Sequence, residues 1–221
     1  MDVYVLDTTA VTEARLRRKT GAYELSKIVL EISGKLREAR LVAGAKFYMT
    51  PSTWSELRRM LLSHNVGLKS VEELGVWITI KAPNKLSLQV PATVFSEYVA
   101  DVRRRLYKGL RVSEALLRKV LKECDSIDET ELIRSLREKY REATRKGLVD
   151  SIEDIDTILL AQELQGVLVT SDEGMKRLAE QLGIIVVDPE DWLLALDKIV
   201  MAFKYFPGRG EANKPFEGTE E

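Results

Sequence analysis

Residues 149–172 read VDSIEDIDTILLAQELQGVLVTSD. Ser151 followed three residues later by Asp154 fits a capping box, and acids in a first turn favour the positive end of the helix dipole. The spacing predicts a helix over about 152–165. GVLVTS (166–171) then reads as a β-strand, and Asp172 follows it directly. The same alternation recurs along the chain. VYVL (3–6), KFYMT (46–50), GVWITIKA (75–82) and GIIVVD (183–188) are β-rich, and helical patterns fall over about 22–42, 52–63, 174–182 and 190–205. The last helix carries Trp192, Leu196, Ile199 and Phe203 at helical spacing before Pro207 and Gly208 stop it. Strands separated by helices predict a parallel sheet covered by helices, an α/β fold.

The opening stretch also crowds Asp150, Glu153, Asp154 and Asp156 into seven residues. One or two acids suffice for a helix start. Four repel one another unless something positive sits among them. In an open parallel sheet, functional groups gather at the carboxyl ends of strands. Asp7 follows VYVL directly, Asp172 follows GVLVTS, Asp154 lies in the first turn of the helix between, and Glu56 lies in TPSTWSEL after the second strand. Carboxylates from separate segments, with no Lys or Arg directly beside them in sequence, suit a hard divalent cation such as Mg²⁺. Each also has a plainer reading. An Asp that ends a strand often caps the next helix. Asp156 falls off the Asp150 and Asp154 face and suits a solvated or supporting role. Thr8, Thr9 and Ser171 either hydrogen-bond the acids or a phosphate, or serve as ordinary turn residues.

Charged residues make up 31% of the 221 and nearly cancel, leaving a net −1, so affinity for a polyanion has to come from a local patch. Hydrophobic residues at 45% allow a real core. One cysteine, Cys124, excludes an internal disulfide framework, and one histidine, His64, argues against histidine-based metal or triad chemistry. With no export signal and no apolar run of about 18 residues, a soluble cytoplasmic protein is expected. From Pro91 to Gly147 there is no β-rich run; three helices are expected near 91–107, 112–124 and 128–146. This segment holds fourteen basic and ten acidic residues, a net +4, against about −5 elsewhere. The asymmetry suggests a polyanionic partner, although heat-stable surface helices are also rich in Lys, Arg and Glu. The expected division is a discontinuous body, 1–90 and 147–206, an inserted basic helical arm, 91–146, and a disordered tail, 207–221.

VYVLDTTA, TPSTWSEL, SIEDIDTILLAQEL and GVLVTSDEGMKRLAEQLGI together resemble, in order, the four segments of the PIN-domain ribonucleases. The doubled acids of VDSIEDID, the SDEG after the fourth strand and the long basic insertion resemble more narrowly the protein-only ribonuclease P group, homologues of Aquifex ribonuclease P. The resemblance implies a PIN-like three-layer fold around a central parallel sheet. It implies a catalytic, metal-holding set of Asp7, Asp150, Asp154 and Asp172, with Glu56 as a further ligand; Thr8, Thr9, Ser171 and Asp156 are expected to support that set from their places beside it in sequence. The resemblance implies removal of the 5′ leader of precursor tRNA and a large homo-oligomer, with no protein cofactor; the oxygen donors themselves lead to the expectation of a Mg²⁺ cofactor that Mn²⁺ can replace. Arg103, Arg104, Arg105, Lys108 and Arg111 are the expected RNA contacts. At about 100° per residue the three consecutive arginines cannot share one helix face, so at least one is expected to turn toward a partner subunit or an acid such as Asp101. The alternatives are a PIN ribonuclease of a toxin–antitoxin or RNA-decay system, or a non-catalytic RNA-binding assembly protein.

Overall fold

The computed structural model describes residues 2–16, 24–122, 128–145, 149 and 151–205. Five short strands, β1 (Val3–Leu6), β2 (Lys46–Met49), β3 (Ile78–Ile80), β4 (Val167–Val169) and β5 (Val186–Val187), form one parallel sheet in the order β3-β2-β1-β4-β5. The helices are α1 (Thr9–Thr12), α2 (Leu25–Ala43), α3 (Pro51–Ser63), α4 (Leu68–Trp77), α5 (Ala92–Lys122), α6 (Glu129–Arg145), α7 (Ile152–Glu163), α8 (Glu173–Gln181) and α9 (Pro189–Tyr205).

Period-2 alternation splits the buried residues into two layers. Tyr4, Leu6 and Val169 face one core with Phe47, Ile32, Leu36 and Trp192, under α2 and α9. Val5 and Leu168 face the other, with Ile158, Leu160, Met175 and Ala179, under α7 and α8. Tyr4 stacks on Phe47 at 5.7 Å between centroids, and Phe47 meets the edge of Trp192 at 6.1 Å, which ties β1, β2 and α9 together. The strand order reverses beside β1: the chain winds outward to β3, then returns to place β4 on the other side. The crevice at the carboxyl ends of β1 and β4 is therefore the switch point of the sheet.

Three elements differ from the sequence reading. A helix, α4, occupies Leu68–Trp77, where a loop and the start of a strand are expected, so β3 begins only at Ile78. Val71 and Leu74 are buried on its inner face, and Gly75 lies so near Trp54 that a Cβ there would stand 2.9 Å from the indole. Burial of Val71 and Leu74 on one helical face thus overrides the strand propensity of Val76 and Trp77. The four-residue α1 is also absent from the pattern. The first two expected arm helices are one, α5, running 31 residues through Gly109. That glycine is a point of close approach: a Cβ would lie 2.7 Å from the Tyr140 ring and 2.9 Å from the Thr144 methyl of α6. α5 and α6 pack chiefly on each other, and Tyr98 at the base of α5 donates its hydroxyl to the Val149 carbonyl at 3.0 Å. The tail from 207 on and Cys124 lie outside the described residues.

Candidate active site

β1 and β4 end side by side, and the Asp7 N–H continues their ladder by donating to the Val169 carbonyl at 3.1 Å. Asp7 is buried, with 6% of its surface exposed. Its charge is met by hydrogen bonds. Oδ1 accepts from the Thr8 N–H at 2.6 Å, and Oδ2 accepts from the hydroxyls of Thr9 at 2.8 Å and Thr170 at 2.9 Å. Thr8 and Thr9 therefore do contact the acid. Asp172 is the N-cap of α8, its Oδ1 accepting from the Met175 N–H at 2.8 Å. The plain capping role is thus real for Asp172, which does not exclude a second; the N-cap of α1 is Thr8, and Asp7 accepts the N–H groups of Thr8 and Thr9 at the start of that turn.

Asp154 lies in the first turn of α7, where Ser151 accepts its N–H at 3.0 Å in the expected cap. Burial pushes its carboxyl up to about 6; the Ser151 hydrogen bond pulls the other way, and the negative charges of Asp7, Asp172 and Glu56 add to the rise. The structure thus places four of the expected acids, from four segments, in one electrostatic neighbourhood. None of the four is ion-paired to a Lys or Arg among the described residues. Asp150 lies outside the described residues. Among the described residues no three carboxylates are gathered closely enough to enclose a metal ion. The donor set nonetheless fits a hard cation: oxygen donors only, one of them raised by burial and further by neighbours of its own sign.

Asp156 is spoken for. Lys85 meets its Oδ1 at 2.5 Å, so one of the four crowded acids has its cation inside the protein. Lys81 and the Asn84 N–H both engage Glu163, and Gln162 donates to the Gln89 carbonyl at 2.9 Å, strapping the connector from β3 to α5 along α7. Ser171 does not touch the acids directly. Its N–H donates to Thr9 Oγ1 at 3.0 Å and its hydroxyl to Glu13 at 2.7 Å.

Sequence reasoning passes over three features. Thr170, fully buried, donates to Asp7 and accepts the Asp172 N–H at 3.1 Å, so one hydroxyl joins the two strand-end acids. Glu13 accepts from Ser171 and holds Arg15, and the Ser171 hydrogen bond is the main reason its carboxyl lies below the usual range. A buried ladder of hydroxyls, Thr50 to Thr53 at 2.8 Å and Thr53 to Thr157 at 2.9 Å, joins the helix of Glu56 to the helix of Asp154. A polar residue inside an apolar strand or helix pattern, as in VLVTS and DTILL, is the signal that could have pointed to Thr170 and Thr157.

On the arm, Arg103, Arg104, Lys108 and Arg111 are exposed, and Arg103 lies over the Tyr107 ring at 5.9 Å. Arg105 differs. Its side chain is 12% exposed and bonds Asp101 at 2.7 Å, the closer of two arginine contacts to that acid, Arg104 lying at 3.5 Å. Of the expected RNA contacts it is the one held by an acid of its own helix, as one of the three arginines was expected to be.

Residues 3–201 match the PINc domain ribonuclease family. The RNA-free ribonuclease P of Hyperthermus butylicus is 42% identical over 211 residues, spanning 90% of this chain and 88% of that protein. The RNA-free ribonuclease P of Aeropyrum pernix is 44% identical over 201 residues, 90% and 92%. That of Methanothermobacter thermautotrophicus is 34% identical over 194 residues, 82% and 88%. Among the described residues no helix is long and apolar enough to cross a membrane. With this coverage and a carboxylate neighbourhood at the switch point of a parallel sheet, the chain belongs to the RNA-free ribonuclease P family of PINc domain ribonucleases.

Proposed function

We propose that this protein is a Mg²⁺-dependent endoribonuclease that removes the 5′ leader of precursor tRNA, leaving a 5′-phosphate on the tRNA and a 3′-hydroxyl on the leader. The observation that carries the metal-dependent reading is Asp154: a half-buried carboxyl pushed up by burial and by acids from three other segments, with no ion pair among the described residues. The relatives' activity supports leader removal in particular.

Asp7, Asp150, Asp154 and Asp172 would hold the ion, Glu56 joining them directly or through water, and Mn²⁺ would serve in place of Mg²⁺ because both take oxygen ligands. A bound divalent ion supplies Lewis-acid activation of water and of the scissile phosphate. The chain's own residues prepare for it. Thr9 and Thr170 fix the Asp7 carboxylate, Ser151 fixes the turn that presents Asp154, and no side-chain nucleophile is required. The arm, 91–146, acts as an insertion into the body formed by 1–90 and 147–206. Exposed Arg103, Arg104, Lys108 and Arg111 contact phosphates, reading shape rather than sequence, which suits an enzyme acting on many tRNAs of one form. Leu106, Leu110 and Leu117 stay exposed along α5, and pairing of arms between copies would cover them in a homo-oligomer. The work of such an enzyme is cytoplasmic.

The test is incubation of the purified protein with a precursor tRNA and Mg²⁺, mapping the cut by primer extension and the ends by sensitivity to phosphatase and ligase. Cleavage at the mature 5′ end, stopped by EDTA and restored by Mg²⁺, is expected. Cutting elsewhere, or cutting that persists in excess chelator, overturns the reading.

A further inference from the structure

Beside the acids, on the side facing the arm, lies a cavity of about 340 Å³ between α5 and α8. Tyr98 and Arg104 line it from α5, Leu178 and Arg177 from α8, with Val149 between; Val149 immediately precedes Asp150, and Gly174, two residues after Asp172, also lines the cavity. The cavity therefore adjoins the segments that carry two candidate metal ligands, and the hydroxyl of Tyr98 on the Val149 carbonyl holds its two sides together.

Its charges are unequally satisfied. Glu97 accepts from Gln181 at 2.8 Å. Asp101 is bonded at 2.7 Å by Arg105, the least exposed of the three consecutive arginines, and touches Arg104 only at 3.5 Å. Arg104 is 67% exposed, so this loose contact contributes little and yields easily. Arg177, on α8, has no ion pair among the described residues. Two guanidinium groups thus face one cavity from opposite walls, one weakly engaged and one not engaged. A guanidinium offers paired N–H donors that match the oxygens of a phosphate.

We infer that this cavity is a phosphate subsite of the substrate RNA, in which Arg177 of the body and Arg104 of the arm clamp one backbone phosphate flanking the scissile bond. The inference rests on the proposed ribonuclease activity and adds a contact on the body to those on the arm. It also gives the junction of arm and body a role, since the cavity lies between the segments that carry Asp150 and Asp172 and the basic helix α5. Asp101, satisfied by Arg105, remains balanced when Arg104 turns to the phosphate.

The test uses Arg177→Ala and Arg177→Lys in the full chain, with fluorescence anisotropy of a labelled precursor tRNA, and of a labelled single-stranded RNA, across a salt series in Ca²⁺ or EDTA. Arg177→Ala is expected to weaken binding about tenfold and to lower the salt slope by about one, with Arg177→Lys in between. In Mg²⁺, KM should rise more than kcat falls. Methylphosphonate replacement of single phosphates near the cut should weaken wild-type binding at one position and add nothing in Arg177→Ala. The thermal midpoint checks that both variants fold. An unchanged affinity and slope overturns the subsite, as does a changed subunit count at constant RNA affinity, which would assign the cavity to an acidic side chain of a second copy. If the wild type binds RNA and Arg177→Ala does not, yet no precursor is cut, the subsite stands and the proposed activity fails; if the wild type cuts the precursor while Arg177→Ala binds as before, the reverse holds.

Discussion

Asp154 sits where burial and three neighbouring acids oppose its ionisation. Its folded value of about 6 lies above its ordinary 3.8, so the folded chain holds this proton more tightly than the unfolded chain does. The resulting stabilisation is complete below pH 3.8, is lost as pH rises through 6, and leaves the ionised group opposing the fold of the metal-free protein above that. Asp154→Asn is therefore expected to raise the midpoint of the metal-free protein at pH 8 by roughly 2–4 °C, the shift produced by about 1 kcal/mol in a chain of this size, and to change little at pH 4. Cleavage should fall by orders of magnitude. Thermal scans at both pH values check it, and a lower midpoint at pH 8 would leave Asp154 with capping alone. Thr170 offers a second test. Thr170→Val keeps the shape but strands the Asp172 N–H and removes a donor from Asp7, at a cost of about 1–3 kcal/mol, and should weaken cleavage. Thr170→Ser should recover most of both, measured by denaturant unfolding and single-turnover rates; a valine variant as stable and active as the wild type would remove the hydroxyl from the site.

At the scale of elements, Gly109 decides how α5 meets α6. Replacing a helix-interior glycine by alanine ordinarily gains about 1 kcal/mol, whereas overpacking costs roughly 1–3 kcal/mol. A Cβ 2.7 Å from the Tyr140 ring makes the second effect the larger. Gly109→Ala is expected to speed amide exchange across α5 and α6 while leaving the β1–β4 ladder protected, because the pair packs chiefly on itself. Slower exchange in the arm would mean that helix propensity wins. Neither this contact nor the continuity of α5 is legible in the sequence, where a glycine inside a helical pattern reads as a break. The acids at strand ends were legible, because a polar residue after a short apolar run marks its carboxyl end. Lys85 on Asp156 was not, since the β3–α5 connector carries no periodicity that places a side chain against α7.

For the whole molecule, the net +4 of residues 91–147 against about −5 elsewhere bears on association. If exposed Leu106, Leu110 and Leu117 are covered by a second arm, light scattering at micromolar concentration should report a mass well above the 25.1 kDa of one chain. A monomer at that concentration would contradict the pairing. Mg²⁺ should raise the thermal midpoint of the wild type in proportion to the logarithm of its concentration and leave Asp154→Asn nearly unmoved, since an ion bound only by the folded state stabilises that state by mass action.

The sequence by itself determined the class of fold, the parallel sheet and the acids at strand ends, because hydrophobic periodicity and residue type act locally and are written in order along the chain. It also determined the basic character of the arm, a matter of composition. The tertiary structure alone decided which acids share a neighbourhood, since the return of the chain past β1 brings Asp7 beside Thr170 across 163 positions. It decided that Asp156 and Arg105 are engaged within the protein while Arg104 and Arg177 face one cavity. Pairings of this kind depend on the distance between side chains on different elements, and packing sets that distance after the elements have formed.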